Sequence, residues 1–540
     1  MPDDIPPPLF RVPRDNQSLL AIPRLNDAAR LVESNRQLFA SADCSLHGRS
    51  LADLRSATRR EILAAARLFT ASMTPQAISS ADADSLIVTG HQPELFHVGV
   101  WAKNFAASGI AQRCQAVALN LVIDNDTMEK TSIKIPTGTR DAMRTEQMLF
   151  DTPRPTQPWE EATVRDQQTF ESFGAMVRQR IQREWSFDPL IGSSWENAVA
   201  QTSKSTRLCD ALTALRVGVE RKWGLSNLEL PMSHLCETET FLWFTADLLS
   251  RLPQFHAIYN ESVELYRQGH RLRNRRQPVP NLAAAEGWLE APLWIWKKSD
   301  TQRGRLFVRH SGNRCELRDE ADIIATSNAG SGDPFAALMS VLRDLPGRGY
   351  RLRSRALTTT LFARVCLADL FVHGIGGAKY DAMTDRICEQ FFGIPAPQFL
   401  TVSATLHLPL GPAFSTSDEG LRNINHQLRD LVYNPDRHVQ NLTGVEHLLE
   451  EIQQLLNAAR ERRAADKQRG KLSRDQHQRL EAIRRELRQH STALKEQFES
   501  ARAAIRAQLN SNSLIQNREY SFVLYPEQLV HQFLRPLAGL

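Results

Sequence analysis

The sequence predicts an α/β protein with parallel strands and a helical arm towards its C-terminal end. The apolar run 85–89 passes through a Gly- and Pro-bearing turn into a helical pattern over 100–113, and then into a second apolar run over 117–123. That alternation of periodicity marks a β-α-β unit. A helix joining two strands through short loops implies parallel pairing with a right-handed crossover, and ligands of open α/β sheets gather at the carboxyl ends of such strands. The arm is signalled by the stretch 444–510, which becomes long, glycine-poor and proline-free, with apolar residues at three- and four-residue spacing.

Composition sets the bounds. A chain of 540 residues, 42% hydrophobic and 24% charged, is long enough for two or three packed units. It opens with Asp3, Asp4 and four prolines where a signal peptide needs basic and then apolar residues. No run approaches the ~18 apolar residues of a membrane span; even 358–372 is cut by Arg364 and Asp369. A cytoplasmic protein with no membrane partner is expected. The seven cysteines are scattered without a CxxC pair, so they are expected to be small buried residues rather than zinc ligands or disulfides, and no metal site is expected. A net charge of +5 is mild for this length.

The elements follow in order. Residues 1–80 read as a proline-rich lead and two helices, 25–41 and 51–73, packed on the core. Residues 81–435 form the core with helical insertions. Beyond the β-α-β unit and the segment Asp124-Asn125-Asp126 that ends it, 140–260 is mostly helical, broken near 153–158, at 192–194 and at Gly224 before a short strand over 228–230. Residues 267–276 hold five arginines ahead of a proline-rich turn, and Trp288, Trp294 and Trp296 precede a hairpin, 305–310 and 314–318, around Ser311-Gly312-Asn313. A helix over 357–371, the glycine loop 373–377, a helix over 378–392 and a strand over 399–408 follow. In the arm, 440–510, Leu448, Ile452, Leu455 and Ala459 make one apolar seam; Leu480, Ile483, Leu487, Leu494, Phe498, Ala501, Ile505 and Leu509 make another. Two helices folded into an antiparallel coiled-coil hairpin explain both. Residues 511–540 regain aromatic and apolar character and return to the core.

Four segments could carry chemistry. At Thr89-Gly90-His91-Gln92 the free N–H groups of a helix start and the positive end of its dipole favour phosphate or carboxylate, with His91 or His97 donating to developing charge; the alternative is a structural turn. Asp124, Asn125 and Asp126 end a strand, where carboxylates could bind Mg²⁺, orient a ribose or hold an ammonium, or else bond local backbone. His270, Arg271, Arg273, Arg275 and Arg276 could grip an oxyanion with guanidinium forks, or face solvent. The loop Gly374-Ile375-Gly376-Gly377 lacks the full GxGxxG spacing and follows an expected helix, so it is no dinucleotide fingerprint; its N–H groups, with Lys379 behind, could still meet an anion. The tryptophans read as core rather than as a base-stacking platform. No spacing of Ser, His, Asp or Cys supports a covalent nucleophile.

Taken together, these landmarks resemble the cysteine-adding enzymes of bacillithiol biosynthesis. Val88-Thr89-Gly90-His91-Gln92-Pro93 is similar to that family's T-G-Q-Q turn, and Ile123-Asp124-Asn125-Asp126 to its aspartate-bearing strand end. Residues 266–282 resemble its R-x-H-R segment, Gly374-Ile375-Gly376-Gly377 its Tyr-x-Gly-Gly-Pro loop, and Phe392-Gly393-Ile394-Pro395 and the late arm complete the order. The resemblance implies a Rossmann-like core with helical insertions and a coiled coil that makes a homodimer. It implies a ligase joining an amino acid carboxylate, cysteine in the family, to an amino-sugar conjugate, with ATP or ADP and Mg²⁺. His91, Asp124 and Asp126 would then be catalytic. Thr89, Gly90, Gln92, His97, Asn125, His270, Arg271, Arg273, Gly376, Gly377 and Lys379 would bind substrate or anion. Departures leave the substrate open: His91 stands for the family's first glutamine, and the glycine loop ends in Ala378 where the family has proline. Two other classes stay in view. One is a nucleotide-binding scaffold without catalysis. The other is nucleic-acid binding through the arm, where Lys and Arg outnumber Asp and Glu two to one over 460–510; the charges are interleaved as on a solvated face, so nucleic acid is not expected.

Overall fold

A computed structural model describes residues 10–76, 85–274, 279–298, 300–465 and 472–540. The chain divides into a larger unit, residues 1–135, 146–408 and 518–540, and a smaller one, 136–145 and 409–517. The protein is mixed α/β, and among the described residues no helix is long and apolar enough to cross a membrane.

The larger unit is built on a six-stranded sheet of β1 (Ser18–Ile22), β2 (Leu86–His91), β3 (Val117–Val122), β4 (Leu228–Pro231), β5 (Leu370–His373) and β6 (Phe399–Thr405), in the order β1-β6-β5-β2-β3-β4. Only β1 runs antiparallel to its neighbour. β2 is buried from Leu86 through Thr89, as a central parallel strand covered on both faces must be, which is why it reads as an unbroken apolar run. The chain builds outward from β2 to β3 and β4, then returns to add β5 and β6 on the other side. The order therefore reverses between β2 and β5, the place in such sheets where a crevice opens at the strand ends.

Helices α1 (Ala28–Ser41), α2 (Leu51–Met73) and α3 (Val98–Arg113) pack on this sheet, α4 (Leu208–Lys222) lies against α2, and α5 (Leu252–Gly269) packs against the strand Trp288–Lys297 outside it. Ser50 caps α2 by accepting from the Asp53 N–H, and a stripe from Leu54 through Ile62 to Phe69 turns inward. α3 follows β2 and is buried at every position from Val98 to Ala111 except Val100. A second, antiparallel sheet pairs Trp288–Lys297, Gly304–Ser311, Arg314–Arg318 and Ile323–Asn328 in sequence, with Tyr350–Ser354 on the far side of the first strand. One apolar cluster runs from Val88 and Leu121 through Phe241 and Phe244 to Leu293 and Leu306, so both sheets share a core.

The expected helix over 357–371 ends early. Ala356–Phe362 widens into a π turn through Leu367, and Leu370–His373 is strand β5, followed by α6 (Ile375–Ile387). Asp369 decides the break. Its buried carboxylate accepts from Ser85 Oγ at 2.9 Å and the Leu86 N–H at 3.0 Å, and is paired with Arg55 and Arg59. This pins the chain beside the start of β2, and Phe371 and Val372 then pair with β2 on one side and β6 on the other. The glycine loop therefore follows a strand, not a helix.

The smaller unit contains α7 (Asp418–Tyr433), α8 (Glu446–Ala465), α9 (Arg474–His490) and α10 (Thr492–Ile515). Leu448 and Ile452 of α8 pack with Leu480, Ile483 and Leu487 of α9. α7 lies along α10, where Leu494, Phe498, Ala501, Ile505 and Leu509 remain half-exposed. In the larger unit, α11 (Glu527–Ala538) closes over α3.

Candidate functional site

A cavity of about 680 Å³ opens where the strand order reverses. Its walls are Gly90, His91 and Gln92 leaving β2, Lys103 on α3, Asn125 and Asp126 beyond β3, and Val372 to Gly377 between β5 and α6. Trp294, Arg303 and Arg355 come from and beside the second sheet, and Arg518 from the C-terminal segment. Two helix N-termini meet here. His97 caps α3, its Nδ1 accepting from the Gly99 N–H at 3.1 Å. Gly374 caps α6, whose first intrahelical bond from Ala378 to the Gly374 carbonyl leaves the N–H groups of Ile375, Gly376 and Gly377 outside the helix ladder. Gly99 is required by packing, since a Cβ there would overlap the Arg518 guanidinium and the Ala404 carbonyl.

Positive charge dominates. Lys103, Arg303, Arg355, Lys379 and Arg518 line the cavity against Asp126 and Glu519. Arg303 and Arg355 stack on Trp294 at 4.8 and 4.1 Å, so this tryptophan is a wall of the cavity, while Trp288 and Trp296 belong to the core. Lys103 is 3% exposed, and its Nζ donates to the Gly90 carbonyl at 2.5 Å; among the described residues no carboxylate pairs with it. Burial, with the Arg216 charge behind it, pushes the ammonium down to about 7. Burial and the same lysine lower His91 to about 3; burial, Arg518 and Lys103 lower His97 to about 4. Both imidazoles are thus neutral at pH 7. Because His97 Nδ1 accepts a hydrogen bond, its proton sits on Nε2 and that nitrogen is a donor.

The acidic rim is tied down. Asp126 accepts from Gln92 Nε2 at 2.7 Å and the Thr127 N–H at 2.8 Å, and pairs with Arg303 at 3.0 Å. Asn125 donates to the Ser354 carbonyl at 2.8 Å, while its buried Oδ1 makes no hydrogen bond among the described residues. On the β5 side, buried His373 shares its Nε2 with Asp381 at 2.7 Å, and Asp381 also accepts from Arg364 at 2.7 Å. Burial opposes the charge on Asp381, yet Arg364 and His373 hold its carboxyl at about 2.

Of the residues singled out in the sequence, Gly90, His91, Gln92, His97, Asn125, Asp126, Gly376, Gly377 and Lys379 converge on this cavity. Thr89 lies beneath it, its hydroxyl donating to the Val372 carbonyl at 2.8 Å and joining β2 to β5. Asp124 is fully buried outside the lining; its carboxylate takes the Ser233 N–H, the Ser233 hydroxyl and Arg207, which ties the end of β3 to the turn after β4. His270 stacks on Tyr266 at 4.0 Å, and Arg271 and Arg273 border a separate open depression with Asn281. Arg275 and Arg276 lie outside the described residues. Sequence reasoning passed over Lys103, His373, Arg303, Arg355 and Arg518. Lys103 alone had a local signal, a lysine inside the otherwise apolar run Val98-Gly99-Val100-Trp101-Ala102-Lys103. Compared with known proteins, the chain matches no family model and no curated protein.

Proposed function

We propose that the protein is a carbon–nitrogen ligase that joins an amino acid carboxylate, cysteine on the family resemblance, to the amine of an amino-sugar conjugate. The observation that carries this reading is Lys103, an amine buried with no carboxylate partner among the described residues, set between two helix N-termini at the strand-order reversal. Such a group lowers its energy by taking an anion. The reversal of strand order between β2 and β5 supports a Rossmann-like reading, in which a nucleotide would bind at the reversal, and the cavity volume is in the range of small-ligand sites.

The donor set fits a nucleotide. Lys103, His97 Nε2 and the N–H groups of Ile375 to Gly377 would hold phosphate oxygens, with Arg303 and Arg355 beside them. Mg²⁺ would arrive on the phosphates, with Asp126 the carboxylate at the rim. The nucleotide supplies the activation that turns a carboxylate oxygen into a leaving group. Asn125 Oδ1, unpartnered and buried in the wall, is the acceptor available to an amine. On the same reading the protein works in the cytoplasm as a homodimer through the smaller unit, whose half-exposed α10 seam supports an intermolecular contact.

The test is a thermal-shift screen of the full chain with ATP and ADP, with and without Mg²⁺, and with cysteine and amino-sugar conjugates. A ligand that binds only the native state raises the midpoint by mass action. A rise with ATP or ADP that is smaller in Lys103→Met, each measured against that protein's own ligand-free midpoint, is expected; no rise with any ligand refutes the reading.

A further inference from the structure

Three imidazoles reach the cavity, and they differ in what holds them. His91 bonds only the neighbouring Gln92 carbonyl, and His97 spends Nδ1 on the Gly99 N–H. Both are depressed far below an ordinary imidazole and are poor proton acceptors. Among the described residues, His373 alone of the three has a carboxylate partner. Asp381, held anionic by Arg364, receives Nε2–H and leaves Nδ1 as the basic nitrogen. That nitrogen points at Gly377 in the first turn of α6: a Cβ built on Gly377 would lie 2.8 Å from it. Gly377 is exposed and lines the cavity, and its φ is not in the left-handed region, so the backbone does not demand glycine. Glycine inside a helix costs up to about 1 kcal/mol against alanine. What its missing side chain leaves open is the approach to His373 Nδ1.

We infer that His373 is the general base of the site, oriented by Asp381 and Arg364, with Gly377 as the window through which the substrate amine reaches Nδ1. The inference rests on the ligase reading. In the step, the amine nitrogen forms a bond to the activated carboxyl carbon, the bond from that carbon to the phosphate oxygen breaks with its electron pair leaving on the oxygen, and the surplus proton of the amine passes to Nδ1. A nucleoside triphosphate is the co-reactant that furnishes the phosphate.

Hydroxylamine separates the base from the activation, because it is unprotonated at neutral pH and attacks an activated carboxyl without a base. The full-length enzyme is given L-cysteine, MgATP and either hydroxylamine or an amino-sugar conjugate, and hydroxamate and amide are measured by mass. In His373→Gln and in Gly377→Ala, the ratio of amide to hydroxamate is expected to fall by about 100-fold or more. Gly377→Ala retains His373, Asp381 and Arg364, but its methyl would lie 2.8 Å from Nδ1 and the ring must shift; the unfolding midpoint of each variant is measured beside the rates, and hydroxamate formation in the variant shows that the fold and the activation survive. Equal loss of both products in the variants, or loss of neither, overturns the assignment of the base. No hydroxamate from the wild-type enzyme overturns the ligase reading itself, and the base assignment with it.

Discussion

Replacing Lys103 by methionine should make the protein more stable and worse at binding anions. The ammonium titrates at 10.5 in an ordinary setting and at about 7 in its buried place on α3. Between those values the unfolded chain holds more protons than the folded one, so this lysine makes stability rise with pH across the window and leaves it flat on either side. At pH 7 its burial costs about 4 kcal/mol, and at pH 10 about 1 kcal/mol, at ~1.36 kcal/mol per tenfold. Methionine has a similar unbranched shape but gives up the bond to the Gly90 carbonyl, at a cost of about 1–3 kcal/mol. The variant should therefore be stabler than wild type by roughly 2 kcal/mol at pH 7 and lose that advantage by pH 10. Urea unfolding of both proteins at the two pH values measures this, since groups common to both cancel in the difference. Affinity for ADP should drop by roughly 30-fold, the worth of one charge-assisted bond of about 2 kcal/mol. A variant less stable than wild type at pH 7, or a difference that does not change with pH, refutes the argument.

Asp369→Asn removes the counter-charge of Arg55, whose burial already holds it at about 9, and weakens the join between β5 and the start of β2. A loss of about 3–5 kcal/mol in urea unfolding is expected; an unchanged midpoint would show that Asp369 is not the pin. Gly99→Ala should cost about 1–3 kcal/mol, because the new methyl meets the Arg518 guanidinium and the Ala404 carbonyl. It should also displace the start of α3 and abolish the ADP-induced thermal rise; a variant that keeps both stability and that rise argues against the close approach. Leu494→Asp combined with Ile505→Asp places charge on the half-exposed face of α10. The full-length variant is expected to sediment as a monomer and the wild type as a dimer, and a variant that remains dimeric moves the interface elsewhere.

Local sequence was enough for elements whose signals lie within a dozen residues. The unit β2-α3-β3, the hairpin around Ser311-Gly312-Asn313 and helix α2 were each legible, because periodicity and turn residues are properties of neighbours in the chain. Half of the cavity was legible for the same reason: Gly90 to Gln92, His97, Asn125 and Asp126 sit at the ends of two adjacent strands. Strand β5 was not. Phe371 and Val372 continue an apolar run that suits a buried helix as well as a buried strand, and what separates the two is Asp369 meeting Arg55, Arg59, Ser85 and Leu86 from a distant part of the chain. The reading of the glycine loop depended on that strand, and so did the place of His373 beside Asp381. Arg303, Arg355 and Arg518 reach the cavity from segments that share no local pattern with it, and Lys103, the one charged residue among the apolar positions of α3 before Arg113, shows from its neighbours that it is out of place but not what it meets. Sequence thus determined where strands end and which turns could face a ligand, since those follow from short-range backbone chemistry. Tertiary structure alone decided which charges meet there, and hence that an amine is buried with no counter-ion among the described residues, because burial and electrostatic partners are set by contacts between residues far apart in the chain.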